Sequence, residues 1–249
     1  MPPLIVANWK MELSDTDAID TARRLAETIP SGVEVVICPS FTVLASIAEA
    51  IRGSAVALGA QDCAVEDRGA LTGEVSPSDL AHLGCRYVIV GHSERRQQLN
   101  ESNAVIARKL RAALHVGLQP ILCVGETMDE RAAGKRDAVL ERQLGSALEK
   151  VELSGSQGFC VAYEPAWAIG SGEPATPADV AVVQERIQSI AQQRLGDDGV
   201  ARIRFIYGGS VGPDNITAFL ARPEIAGVLV GTASQTAARL RAIVAAVRC

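Results

Sequence analysis

A glutamate with the surroundings of a catalytic base stands in the second half of the chain. Glu164 directly follows the short apolar run 159–163, and Pro165 and a stretch ending in Gly-Ser-Gly at 170–172 come after it. A carboxylate delivered by a buried strand can accept a proton from a substrate, and a proline followed by glycines is typical of a segment that moves over such a group. The pattern predicts a general base beneath a movable lid that spans residues 165–175.

Three further polar side chains follow apolar runs in the first half of the chain. His92 follows the run 87–91 and precedes a polar segment that could begin a helix, whose positive end disfavours an added proton. A neutral imidazole can donate a hydrogen bond to a carbonyl oxygen. Asn8 and Lys10, after the run 4–7, supply an amide donor and a positive charge that could hold an anion. The alternatives are a surface lysine, a turn asparagine and a histidine with only local hydrogen bonds.

Two glycine-rich turns follow the last two apolar runs, at 207–211 and 230–233. Glycine lets backbone N–H groups approach an anion closely, and phosphate sites recur after the last two strands of parallel barrels. The turns therefore predict a phosphorylated substrate. Tight turns that need glycine for their backbone alone are the alternative.

These candidate residues need a fold that brings strand ends together. Eight apolar runs alternate with amphipathic stretches, which predicts repeated strand-then-helix units and parallel strands. Eight units in 249 residues fit one (β/α)8 barrel domain, with outer helices and its chemistry on the loops after the strands. The predicted strands are 4–7, 33–38, 56–60, 87–91, 120–124, 159–163, 204–207 and 228–230, and the predicted helices are 17–29, 43–51, 104–116, 138–151, 178–195 and 216–221. An open doubly wound sheet is the alternative, but its G-x-G-x-x-G fingerprint is absent.

Composition narrows the class of partner. A net charge of −5 without a basic run argues against nucleic acid and favours a small substrate. No long apolar stretch predicts a membrane span, so a cytoplasmic protein is expected, with its six scattered cysteines reduced. The three histidines show no metal-ligand spacing and no C-x-x-C pair occurs, so no metal is expected.

Five motifs resemble the triosephosphate isomerase family, in order and along essentially the whole chain. They are NWKM at 8–11, GHSERR at 91–96, CVGE at 123–126, YEPAWAIG at 163–170 and YGGSV at 207–211. The resemblance implies a cofactor-independent isomerase that interconverts dihydroxyacetone phosphate and D-glyceraldehyde 3-phosphate through an enediolate, in glycolysis and gluconeogenesis.

The resemblance also implies a role for individual residues. Glu164 would move the proton between two carbons, while neutral His92 would polarise the carbonyl. Lys10 and Asn8 would hold the substrate, with Glu94 as the partner of the lysine. Hydroxyls of Tyr207 and Ser210 would hold the lid shut. The implied phosphate-binding backbone lies at Gly170, Ser210, Gly231 and Thr232, and the implied lid includes Pro165, Ala166, Trp167, Ala168, Ile169, Ser171 and Gly172.

The chain departs from the family pattern at several positions. Ser171 stands where threonine is common, and Glu173 where lysine is frequent, so the departures bear on lid motion. Thr232 replaces a frequent glycine, which its site tolerates if φ stays negative. The remaining departures are Asp62 in place of asparagine and Leu71 in place of phenylalanine.

The resemblance further implies a homodimer, in which Thr72 would approach the partner's site. Two other functions remain open at this stage. One is another barrel enzyme acting on sugar phosphates, such as a Schiff-base aldolase or a metal-dependent epimerase, and the other is a non-catalytic phosphate-binding barrel. The sequence disfavours the first, because strand six ends in Glu164 and not in lysine, and because few metal ligands follow the strands.

Overall fold

Eight parallel strands close into a barrel in which each strand pairs with its neighbours in chain order. The computed structural model describes residues 1–30, 32–168 and 174–247. The predicted (β/α)8 barrel is confirmed, and the strand bounds agree with the predicted ones to within two residues. The strands are β1 (Leu4–Asn8), β2 (Glu34–Cys38), β3 (Val56–Ala60), β4 (Cys85–Val90), β5 (Gln119–Val124), β6 (Phe159–Tyr163), β7 (Ile203–Tyr207) and β8 (Gly227–Val230).

The strands read as continuous apolar runs because both of their faces are buried. Along β1, Leu4 and Val6 belong to the cluster inside the barrel, whereas Ile5 and Ala7 belong to the larger cluster between the barrel and the helices. The same alternation recurs on the other strands. Strand ends are the positions where polar side chains reach solvent without crossing this core.

The described ranges contain ten helices outside the barrel, and all six predicted helices are among them. The helices are α1 (Asp15–Thr28), α2 (Leu44–Ala50), α3 (Pro77–His82), α4 (Ser93–Gln98), α5 (Asn103–His115), α6 (Met128–Ala132), α7 (Arg136–Leu148), α8 (Pro177–Val200), α9 (Ile216–Leu220) and α10 (Ala237–Val247). The predicted helix bounds agree with these to within three residues, except at the carboxyl end of α8. Residues Phe41–Val43 form a 3-10 turn before α2, and α8 continues past the predicted end with non-helical backbone at Gly196, where φ is +70°.

Two other expectations bear on the described ranges. Five of the six cysteines are free and buried there, at Cys38, Cys63, Cys85, Cys123 and Cys160, as expected for reduced thiols. The sixth, Cys249, lies outside the described residues. Over residues 1–30, 32–168 and 174–247, none of the helices combines the length and apolar character that crossing a bilayer requires.

Candidate active site

A cavity of about 300 Å³ opens at the carboxyl end of the barrel, where the loops after the strands meet. Its lining brings together residues from the ends of strands β1, β4, β6, β7 and β8. Among the predicted site residues that line it are Asn8, Lys10, His92, Glu164, Ser210, Gly231 and Thr232. Residues predicted from separate parts of the sequence therefore share one cavity.

Glu164 lies at the centre of this arrangement and is 2% exposed. Its Oε2 accepts a hydrogen bond from the Ser93 backbone N–H at 3.1 Å, and its Oε1 lies 3.1 Å from Nε2 of His92. A methyl group on Gly208 would lie 2.7 Å from Cγ of Glu164, so only glycine leaves room for this side chain. Burial and then the Glu164 carboxylate raise the pKa of the Cys123 thiol, which keeps that neighbour neutral.

His92 caps the amino end of α4, which confirms the predicted helix start. Its Nδ1 accepts a hydrogen bond from the Glu94 backbone N–H at 3.3 Å. An acceptor nitrogen carries no proton, so the ring proton of the neutral tautomer is on Nε2. The imidazole therefore presents an N–H donor to the cavity.

Lys10 has a left-handed backbone, with φ at +51°. A lysine rarely adopts this conformation, and such strain persists where surrounding contacts fix it. Here the Asn8 side-chain oxygen accepts from the Lys10 N–H at 3.1 Å, and Gln61 Nε2 donates to the Lys10 carbonyl at 2.8 Å. The Lys10 ammonium pairs with Glu94 as the resemblance implied, and the Asn8 amide nitrogen remains as a donor for a substrate.

The candidate phosphate-binding turns lie along one side of the cavity. Gly231 precedes a 3-10 turn over Thr232–Ser234, and both Gly231 and Thr232 line the cavity. Among the described non-glycine residues, positive φ occurs only at Lys10, Asn100 and Lys150, so the backbone of Thr232 is unstrained. Gly170, the remaining predicted phosphate contact, lies outside the described residues.

One described end of the candidate lid contacts the last residue of β7, and the other contacts the loop after this strand. Ser210 Oγ donates to the Ala168 carbonyl at 2.7 Å, and the Tyr207 hydroxyl accepts from the Ala175 N–H at 3.0 Å. Burial raises the pKa of Tyr207 to about 12, so the phenol is protonated at neutral pH. Pro165, Ala166, Trp167 and Ala168 are described, whereas Ile169, Gly170, Ser171, Gly172 and Glu173 lie outside the described residues. The roles of lid and latch stay predictions.

Sequence reasoning gave no role to Glu126, although it stands two residues after the end of β5. This fully buried carboxylate accepts hydrogen bonds from the Tyr163 hydroxyl and from Trp167 Nε1, each at 3.0 Å. Gly125, the residue before Glu126, packs against the backbone of Glu164. Only glycine fits there, because a methyl group would lie 2.0 Å from the Glu164 carbonyl oxygen. The rule that flagged Glu164, a carboxylate at a strand end, would have found Glu126 as well.

The predicted dimer residue Thr72 and the departure at Asp62 do not line the cavity. Thr72 is in an exposed loop, next to Leu71, which is 41% exposed. Asp62 is buried, and Lys109 Nζ donates to its Oδ2 at 2.6 Å. Burial raises the pKa of Asp62 to about 6 in spite of this ammonium group. The departure from asparagine therefore alters a buried ion network and not the lining of the cavity.

The cavity lies at the carboxyl end of a parallel barrel and is lined by a buried carboxylate, an imidazole N–H and a lysine. This arrangement defines an acid–base enzyme of the (β/α)8-barrel class. A sequence profile described as triosephosphate isomerase matches residues 3–247. The chain belongs to the triosephosphate isomerase family and is an isomerase.

Individual relatives agree with this membership. The chain is 45% identical to triosephosphate isomerase of Symbiobacterium thermophilum, over 98% of this chain and 96% of that protein. It is 46% identical to the enzyme of Chloroflexus aurantiacus, over 97% and 98% of the two chains. The crystal structure of triosephosphate isomerase from Bartonella henselae superposes with a TM-score of 0.90 at 36% identity and covers 100% of both chains. A different sugar-phosphate enzyme and a non-catalytic barrel are therefore not favoured.

Proposed function

We propose that Glu164, His92 and Lys10 carry out the interconversion of dihydroxyacetone phosphate and D-glyceraldehyde 3-phosphate, the glycolytic reaction of this isomerase family. The observation that carries the assignment is the 3.1 Å approach of the Glu164 carboxylate to His92 Nε2, in the cavity that Lys10 also lines. A base, a hydrogen-bond donor and a cation can together catalyse proton transfer next to a carbonyl.

Each group has one task in the reaction. The Glu164 carboxylate takes a proton from the carbon next to the carbonyl, and the electron pair moves to the carbonyl oxygen to give an enediolate. His92 Nε2–H donates a hydrogen bond to that oxygen as its charge grows. The Lys10 ammonium offsets the negative charge of the intermediate. A proton moves from the neighbouring hydroxyl oxygen to the former carbonyl oxygen, and Glu164 returns its proton to the neighbouring carbon, which completes the isomerisation without a cofactor.

The resting hydrogen bonds of Glu164 mean that the base has to move. Both carboxylate oxygens are held, one by the Ser93 N–H and the other next to His92 Nε2. A substrate that takes the His92 hydrogen bond for its own oxygen removes one of these two contacts. We therefore expect substrate binding to release Glu164 towards the substrate carbon.

The substrate phosphate would bind to backbone N–H groups, and a lid would close over the bound substrate. The backbone N–H groups of Ser210, Gly231 and Thr232 would hold the phosphate, and the Lys10 ammonium adds positive charge near Gly231. An enediolate exposed to water can expel its phosphate, so solvent has to be excluded during the proton transfer. A lid over residues 165–175 would serve this purpose.

The test replaces the base by a shorter acid. Glu164→Asp retracts the carboxylate by one methylene group, and a misplacement of about 1 Å costs about 100-fold or more in rate. We expect kcat to fall by at least that factor while the thermal unfolding midpoint stays within a few degrees. The purified wild-type protein should turn over glyceraldehyde 3-phosphate with no added metal or nucleotide. A wild-type protein without turnover would overturn the proposal.

We further propose a cytoplasmic homodimer that assembles through the loop carrying Thr72. The support for an interface is the exposure of two large apolar side chains, Met11 at 92% and Leu71 at 41%. Thr72 would then complete the site of the partner chain. Thr72→Arg should convert the dimer to a monomer in sedimentation velocity and lower turnover. A wild-type protein that sediments as a monomer while fully active would contradict this proposal.

A further inference from the structure

An arginine outside the cavity lies against the tryptophan of the candidate lid. Arg131 is on α6, and its guanidinium carbon is 3.9 Å from the centre of the Trp167 ring. This separation is well inside the range of a cation–π interaction. Arg131 Nη1 also lies 3.9 Å from Oε1 of Glu126, the same oxygen that accepts from Trp167 Nε1. The indole is thus held at its edge by a carboxylate and on its face by a cation.

The helix that carries Arg131 is fixed at its first residues. Thr127 caps α6, and a capping box links the Thr127 and Glu130 side chains to the backbone of that turn. Arg142 Nη2 adds an ion pair to Glu130 at 2.9 Å. Arg131 therefore extends from a defined helical turn, although its own side chain is 40% exposed.

Trp167 is coupled to the catalytic carboxylate through a short and stiff segment. Pro165 follows Glu164 directly, and the next residues form the 3-10 turn Ala166–Ala168. The Ala166 N–H donates to the Glu126 carbonyl at 3.0 Å, so the turn is also bound through its backbone. A contact that fixes the indole consequently fixes the direction in which the chain leaves Glu164.

We infer that Arg131 is a positioning residue for the reaction, acting through Trp167 on the segment that follows the base. Without the cation, the segment 164–168 is less ordered in the unliganded protein, and binding has to order it. The cost falls on substrate affinity and not on proton transfer, because Arg131 does not line the cavity. The kinetic part of this inference rests on the proposed function.

The test removes the guanidinium and restores a cation. Arg131→Ala keeps a strong helix former on α6, so a loss of helix is not expected. For this variant we expect KM and the dissociation constant of 2-phosphoglycolate, which carries a carboxylate and a phosphate, to rise about five-fold, with kcat changed less than two-fold. Arg131→Lys should recover part of the affinity. Arg194→Ala is the matched control, since Arg194 is 43% exposed and paired with Glu141 but contacts no described aromatic ring.

A fluorescence measurement tests the contact without turnover. The chain has two tryptophans, and Trp9 is 1% exposed, so acrylamide quenching reports mainly on Trp167. Arg131→Ala should increase quenching in the unliganded protein, while Arg194→Ala should not. Unchanged quenching and unchanged KM in Arg131→Ala would overturn the inference. A wild-type protein without turnover but with the quenching difference would overturn the proposed function and leave the contact established.

Discussion

Both ends of the barrel contain buried or partly buried charged groups, but these groups have different roles at the two ends. At the carboxyl end, Glu164, His92 and Lys10 line a cavity of about 300 Å³. At the amino end, Glu34 and Arg204 line a larger depression of about 490 Å³. The size of a cavity therefore does not distinguish the two ends.

Hydrogen bonding does distinguish them. At the amino end, Glu34 accepts from the Tyr87 hydroxyl at 2.6 Å and from Arg204 Nη1 at 2.7 Å, and Arg204 Nη2 donates to the Pro2 carbonyl at 2.9 Å. These contacts join β2, β4 and β7 to the first residues of the chain, which is a structural role.

At the carboxyl end, polar groups remain directed at the cavity. His92 Nε2–H and the Asn8 amide can both donate to a ligand, and the strained backbone of Lys10 is retained there. A functional end is thus recognised by polar groups that can exchange their contacts with one another for contacts with a ligand, together with local strain.

The largest expected effect concerns the strained cation of the carboxyl end. Lys10→Met removes the charge that offsets the enediolate and should lower kcat/KM by about 100- to 1000-fold in steady-state assays. Lys10→Gly should be equally inactive. Because glycine adopts positive φ without strain, the free energy of unfolding of Lys10→Gly should exceed that of Lys10→Met by about 1 kcal/mol. Equal stability of the two variants would show that the left-handed conformation is not strained.

A substitution at the amino end should lower stability and leave the catalysed reaction unchanged. Glu34→Gln breaks a mostly buried ion pair and should lower the free energy of unfolding at pH 7 by about 2 kcal/mol, with kcat and KM unchanged. Chemical denaturation and steady-state kinetics measure the two parts. A drop in kcat/KM at full folding would contradict the purely structural role of this end.

The same residue gives the amino end a defined pH dependence. Burial opposes ionisation of Glu34, but hydrogen bonds from Tyr87 and Arg204 outweigh it, so its folded pKa lies below the ordinary value of 4.5. At pH values near the folded and unfolded pKa of Glu34, the native state therefore binds fewer protons than the unfolded state. The contribution of Glu34 is complete above about pH 5 and is lost as the pH falls through the folded pKa. The free energy of unfolding of Glu34→Gln, measured by chemical denaturation, should accordingly fall less than that of the wild-type protein as the pH is lowered.

The contrast between the ends also explains what the sequence could predict. Glu164 and His92 directly follow an apolar run and Lys10 lies three residues after one, so a local pattern together with the barrel rule locates them. Glu34 and Arg204 are 170 residues apart, and their contact depends on how the barrel closes. The stacking of Arg131 on Trp167 likewise joins α6 to the 3-10 turn Ala166–Ala168, and no local pattern indicates it.

No bounds were predicted for four helices, because their sequences lack a clear two-sided apolar pattern. The helix α4 has the sequence SERRQQ and offers no apolar face, while α10 is apolar on most of its positions. Hydrophobic periodicity needs a contrast between two faces, which neither helix provides. The helices α3 (PSDLAH) and α6 (MDERA) are short and mostly polar, unlike the equally short but mostly apolar α9 (ITAFL).

The smallest expected effect comes from removing one hydroxyl at each end. Tyr207→Phe deletes the acceptor for the Ala175 N–H, and the ring stays stacked on Phe219 at 4.4 Å. A single hydrogen bond contributes about 1 kcal/mol, so KM should rise about five-fold. Tyr87→Phe is the matched change at the amino end, because it deletes the hydroxyl that donates to Glu34. It should cost a similar free energy of unfolding with KM unchanged. If both variants raise KM equally, the two ends are not functionally separate, because a hydroxyl that contacts only the amino-end ion pair would then influence substrate binding at the other end of the barrel.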